Sequence, residues 1–151
     1  MVVFLIDVLK GTAAVLLAKA LLQPDGYNAL SDWWVVAAGL AALAGHIWPI
    51  WLGWKGGKAV ATGFGMLLGL VPAVGLACLG VFLTSLAVSR IVSISSVLAA
   101  GALPLLMAGT GAPAAYLGLG VVAAVMVIWR HRSNLARLLK GEEPRLGQKK
   151  A

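Results

Sequence analysis

The stretch TGFGMLLGLVPAVGLACLGVFLTSLAVS, Thr62 to Ser89, decides how the rest of the chain is arranged. Read as one helix, it crosses a bilayer once and leaves Lys55 and Lys58 on the opposite side from Arg90. Read as two helices broken at Val71-Pro72-Ala73-Val74-Gly75, it returns the chain to its starting side. Each half then holds about 10 to 15 residues, roughly 15 to 22 Å at 1.5 Å per residue, short of a hydrocarbon core of about 30 Å. Short or broken helices are tolerated where protein surrounds them. We adopt two helices, because that reading gathers Lys55, Lys58, Arg90 and the basic residues from Arg130 to Lys150 on one side. It leaves Asp25 and Asp32 on the other.

Working outward, the composition agrees with a chain built for lipid. With 61% hydrophobic and 11% charged residues and a mean hydropathy of +0.96, 151 residues have too little polar surface to coat a soluble globule. Apolar runs extend over Val2 to Leu22, ended by Gln23-Pro24-Asp25-Gly26, then from about Trp33 to Trp51, Val92 to Met107 and Ala114 to Trp129. The expected architecture is all-α: one polytopic membrane domain over 1–151 with about six helical segments, some short or broken, and a basic cytoplasmic tail over 130–151. Asp7 and Lys10 in the first run argue against a signal peptide, and lie one turn apart, where they can pair. The tryptophans sit near run ends, at headgroup level. Gly65 and Gly69 form a GxxxG pair suited to close helix packing. The lone Cys78 provides neither a disulfide nor a cysteine-based metal site, and no cofactor or metal is expected. The net charge of +7 is concentrated in connections and the tail, which is a positive-inside pattern and not a nucleic-acid surface.

The residues suited to chemistry fall in three connections. Lys55-Gly56-Gly57-Lys58 offers two ammonium groups on a loop whose glycines allow close approach of an anion, just before a helix start near Thr62. It is not a Walker A motif: Gly53 to Lys58 is one residue short, and Ala59 stands where Ser or Thr belongs. A positive-inside loop with flexible glycines explains the same residues. In RHRSN, His131 and Asn134 share one face if the last helix continues through them, and together they suit a polyol hydroxyl. Ser93, Ser95 and Ser96 open the run from Val92, as anion donors or as caps. His46, ahead of Pro49, orients the loop or joins the substrate-binding set. Without further information, a non-catalytic transporter subunit or assembly factor with an anionic-lipid-binding basic face fits as an alternative.

DVLKG at Asp7 to Gly11, GHIWPIWLGWKGGKAVATGFG at Gly45 to Gly65, RIVSISS at Arg90 to Ser96 and WRHRSNLARLLKGEEPRLG at Trp129 to Gly147 resemble the bacterial acyl-phosphate:glycerol-3-phosphate acyltransferases of the PlsY type. The resemblance implies a seven-helix enzyme of the bacterial inner membrane, multi-pass, with its active face cytoplasmic. Its substrates would be acyl phosphate and glycerol 3-phosphate, and its products lysophosphatidic acid and phosphate, made within membrane lipid for phospholipid synthesis. By carry-over, Lys58 binds the acceptor phosphate with Lys55, Gly56 and Gly57 nearby, His131 and Asn134 contact the acceptor, and Ser93 or Ser96 joins them. Glu143 braces the basic cluster. Two departures stand out: Ala59 replaces a usual glycine, and the family's first helix and SGNxGxTN loop are not in this sequence. The resemblance therefore implies a chain that holds most of the acceptor side and lacks much of the donor side, as a truncated reading frame or partial sequence would.

Overall fold

The computed structural model describes residues 2–23 and 28–148. Asp25 and the lysines at 149 and 150 lie outside the described residues. Among the described residues seven α-helices run in order: α1 (Val2–Leu22), α2 (Ala29–Ile47), α3 (Val60–Leu70), α4 (Pro72–Ser89), α5 (Val92–Ala108), α6 (Ala114–Arg130) and α7 (Arg132–Leu139). Thr62 to Ser89 is indeed broken, with Val71 as the shared cap. Proline lacks an amide hydrogen and its ring collides with a preceding turn, so Pro72 can open α4 but cannot continue α3.

The break is held by packing and by one lysine. At 11 residues α3 is about 16 Å long, too short to cross alone. Its last carbonyls have no partner within the helix. Lys19 of α1 supplies one, donating from Nζ to Gly69 O at 2.8 Å and to Leu70 O at 3.0 Å, a cation at the negative end of the helix. α1 packs more extensively on α3 than any other helix pair does. Gly65 makes this possible: a β-carbon there would overlap the backbone of Val8, and Thr12 Oγ1 donates to Gly65 O at 2.8 Å. The GxxxG pair thus faces α1, with Gly69 against Val15. α4, α5 and α6 pack successively alongside.

Local chemistry explains the remaining boundaries. α2 begins at Ala29, ahead of the expected Trp33, because Asn28 Oδ1 accepts from Ser31 N at 2.8 Å and Ser31 Oγ pairs back to Asn28 N at 3.3 Å. It ends before Pro49, and the run continues only as a short 3-10 turn over Ile50–Leu52. Among the described residues two helical stretches, Ala29–Leu52 and Pro72–Ser89, are long and apolar enough to cross a membrane, and the bent α6–α7 pair, counted as one span, is a third. Exposed Leu17, Leu21, Val88 and Leu105 on the outer faces suit lipid.

The tail departs from expectation. The sequence suggested about six helical segments and a basic tail from Arg130; the seventh helix lies in that tail, because Asn134, Leu135 and Leu138 share one inward face. The last helix also does not run straight through RHRSN. It bends by 51° at His131, whose ring Nδ1 and backbone N both use Val127 O, at 2.8 and 3.1 Å.

Candidate functional site

One end of the bundle gathers the connections singled out above. The loop between α2 and α3 lies against His46: Gly57 N donates to His46 O at 3.1 Å, and a β-carbon at Gly56 or Gly57 would overlap the His46 carbonyl or imidazole. Arg130, at the end of α6, holds the loop from its other side, donating from Nη2 to Gly56 O at 2.9 Å and from Nε to Gly57 O at 3.1 Å. His46 is itself fixed by α1. Lys10 Nζ is 2.5 Å from Asp7 Oδ1 and 2.7 Å from His46 Nδ1. An ammonium only donates, so Nδ1 accepts and the imidazole proton sits on Nε2, facing Gly57. The expected Asp7–Lys10 pair is present, with His46 as a third member.

The loop delivers Lys58 into α3 through Ala59, which adopts a left-handed conformation (φ 61°). That geometry is natural for glycine and costs another L-residue about 1–2 kcal/mol. Lys58 is the lysine of the pair that feels the rest of the cluster. Burial lowers its pKa, Glu143 opposes the shift, and Arg137 and Arg130 reinforce it, so its ammonium is held below the ordinary lysine value. Both lysines are exposed, and among the described residues no acidic side chain forms an ion pair with Lys55.

Around Glu143 the tail folds back onto the start of α5. Ser93 Oγ and Asn134 Nδ2 both donate to Oε1 at 2.6 Å, and Arg137 Nε donates to Oε2 at 2.9 Å. Burial pushes this carboxyl up, but the three donors and the Arg137 charge outweigh it and hold it below the usual carboxylate range. Leu146 N donates to Arg90 O at 2.7 Å and straps the tail across the α4–α5 turn. The three serines do not cap α5. Ser95 and Ser96 turn back to Ile91 O and Val92 O, at 3.0 and 2.9 Å, and only Ser93 reaches Glu143.

Three buried groups are left with capacity. His131, 2% exposed, donates from Nδ1 to a carbonyl, so its Nε2 is the basic, accepting nitrogen. Asn134 Oδ1 is buried without a partner among the described residues, as is Thr62 Oγ1 in the first turn of α3. A cavity of about 120 Å³ runs inward from Ala59, Ser96 and Val127 to Met66, Cys78 and Leu103, lined almost wholly by apolar atoms. Met66 lies seven positions on from Ala59, the cap of α3, a depth of about 10 Å. Among the described residues no three His, Cys, Asp or Glu side chains cluster as a metal site. Arg130 and Arg137 were not identified from sequence; only their adjacency to His131 and Asn134 hinted at a role.

A family model described as glycerol-3-phosphate acyltransferase matches residues 1–141. The chain belongs to that family. It is 62% identical over 149 residues to a glycerol-3-phosphate acyltransferase of Synechococcus sp. (strain CC9902), covering 99% of this chain and 71% of that protein. A glycerol-3-phosphate acyltransferase of Prochlorococcus marinus (strain MIT 9313) is 65% identical over 149 residues, covering 97% and 70%. Among solved structures it resembles PlsY (YgiH), an integral membrane glycerol 3-phosphate acyltransferase, in its glycerol 3-phosphate form. That match has a TM-score of 0.87 at 34% identity and covers 97% of this chain and 70% of the other. The lysophosphatidic acid form matches equally, at a TM-score of 0.87.

Proposed function

We propose that this enzyme transfers a fatty acyl group from acyl phosphate to the 1-hydroxyl of glycerol 3-phosphate at the end of the bundle where Lys58, Ser93, His131, Asn134 and Glu143 meet. The observation that carries the reading is a polar cluster of cations and buried hydrogen-bonding groups beside an apolar cavity, whose wall includes Ala59 next to Lys58, Ser96 one turn from Ser93, and Val127, whose carbonyl meets His131. A phosphorylated polyol and an acyl chain need those two environments side by side.

The chain's own residues divide the work. Lys58 and the loop amides take the acceptor's phosphate, while His131 Nε2 and Asn134 Oδ1 accept from its hydroxyls. Glu143 holds Ser93 and Asn134 in place and does not react. The cavity seats the first part of the acyl chain, at about 0.8 kcal/mol per buried methylene. An acyl phosphate is already activated, so alignment and charge neutralisation suffice. The hydroxyl oxygen bonds to the acyl carbon, the carbon–oxygen bond to phosphate breaks, and the departing phosphate takes the electron pair and the hydroxyl proton. Lysophosphatidic acid and inorganic phosphate result. The excess of Lys and Arg at this end argues for the cytoplasmic side of the bacterial inner membrane.

The test is phosphate release and lysophosphatidic acid formation by the purified chain with palmitoyl phosphate and glycerol 3-phosphate. Lys58→Ala is expected to lose about 10- to 150-fold in kcat/KM for the acceptor, the value of a charged contact of about 1.5–3 kcal/mol, and Lys140→Ala less than about threefold. Equal losses would leave only a generally basic surface. No turnover by the wild-type chain would remove the reading for this polypeptide alone.

A further inference from the structure

Arg130 has no part in the division of work proposed above, yet it spans from the end of α6 to a loop more than seventy residues earlier in the chain. Two of its five donors occupy two consecutive carbonyls, Gly56 O and Gly57 O. The two bonds leave from different nitrogens, Nε and Nη2, fixed in one plane; an ammonium can also reach two carbonyls, as Lys19 does, but from one point on a flexible stem that fixes neither peptide plane. We propose that Arg130 is a positioning residue for the acceptor: it holds the Gly56 and Gly57 peptide planes so that the Lys58 amide and ammonium face the acceptor's phosphate, without touching substrate itself. This inference rests on the proposed function and refines it.

In a planar trans peptide the carbonyl and the following amide point in opposite directions. Gly56 O faces Arg130, so Gly57 N–H must face away, and it is found on His46 O at 3.1 Å. By the same rule, Gly57 O on Arg130 turns Lys58 N–H away from the guanidinium, where it meets no protein acceptor among the described residues. The loop is therefore held on two sides, by Arg130 at the Gly56 and Gly57 carbonyls and by His46, whose carbonyl accepts from the Gly57 amide and whose carbonyl and imidazole leave no room for a β-carbon. Adjacent glycines lose more freedom on ordering than any other pair. Unclamped, that loss would fall on the ligand at the moment of binding and weaken affinity by about 10- to 100-fold.

The experiment measures glycerol 3-phosphate affinity by equilibrium dialysis on the full chain in nanodiscs, with KM and kcat alongside. Arg130→Met is expected to raise Kd and KM for glycerol 3-phosphate about 10- to 100-fold, leaving KM for acyl phosphate unchanged and kcat within about threefold. Arg130→Lys keeps the charge but not the fork, and is expected to lose nearly as much. Adding Arg130→Met to Lys58→Ala is expected to cost less than about threefold more, because both act through one loop. The proposal is overturned if Arg130→Lys retains wild-type affinity, if the double variant is additive, or if kcat falls while KM holds. Should Arg130→Met not fold, Gly57→Ala displaces the loop from the His46 side and must give the same acceptor-only loss; unchanged affinity there also overturns it. A wild-type chain that binds no glycerol 3-phosphate would instead remove the proposed function.

Discussion

Glu143→Gln isolates what the tail contributes, since it preserves shape and removes charge. The carboxylate receives two buried bonds on Oε1 and one from Arg137, whose side chain is 44% exposed. A hydrogen bond to a charged group is worth about 1.5–3 kcal/mol and a neutral one about 0.5–1.5, so weakening the two buried bonds costs about 2–3 kcal/mol. The Arg137 pair, screened by solvent, adds at most about 1 kcal/mol, for a sum of about 2–4 kcal/mol. The bundle need not unfold to register this loss. The strap can open alone, breaking the 2.7 Å bond from Leu146 N to Arg90 O. Hydrogen exchange at the Leu146 amide should therefore accelerate roughly 30- to 700-fold, at tenfold per 1.4 kcal/mol, while Arg137→Ala accelerates it less than about tenfold. The folded pKa of Glu143 is depressed, so its contribution is fully present above the ordinary glutamate value near 4.3 and fades only as pH falls through the lower folded value. The opening equilibrium, taken from exchange rates divided by the intrinsic amide rate at each pH, should thus turn upward only at acid pH in the wild type, and Glu143→Gln should lack that turn. Exchange at Leu146 within about threefold of wild type would refute the reasoning, because the carboxylate would then not be what closes the strap.

Gly65→Ala places a methyl group on the Val8 backbone and should lower stability by about 1–3 kcal/mol, read as a fall in the midpoint of thermal unfolding in detergent. Ala100→Phe, on the cavity wall, should shift donor preference toward shorter acyl phosphates with KM for glycerol 3-phosphate unchanged, in a competition assay across chain lengths. Lys58 has a lowered folded pKa, so KM for glycerol 3-phosphate should rise on the alkaline side at a lower pH than an ordinary lysine dictates. The unfolded chain binds more protons at this lysine, so its own contribution to stability rises through the same window. Parallel pH profiles of KM and melting midpoint distinguish loss of affinity from loss of fold.

The membrane character, the helical runs and the break ahead of Pro72 were legible in the sequence, because each depends on neighbours within a few residues: hydropathy over a helix length, and a proline without an amide hydrogen. The boundary at Ala29 was not placed, although the Asn28 and Ser31 capping pair that sets it is equally local. The three connections carrying Lys58, Ser93 and His131 were also identified in advance, since polar residues are conspicuous between apolar runs. Their division of labour was not. Ser93 and Ser96 look equivalent in a sequence, yet one donates to Glu143 and the other to its own helix, and that follows from where the tail lies.

Composition and punctuation alone determined that this chain is a helical membrane protein whose cations collect at one end. Tertiary structure decided which of them act together. Arg130 meets Gly56 and Gly57, Lys10 meets His46, and Glu143 meets Ser93 across separations of dozens of residues. Such contacts depend on the rotation of each helix about its axis and on how closely glycines let α1 and α3 approach. No local propensity encodes those quantities; they emerge only when the faces pack.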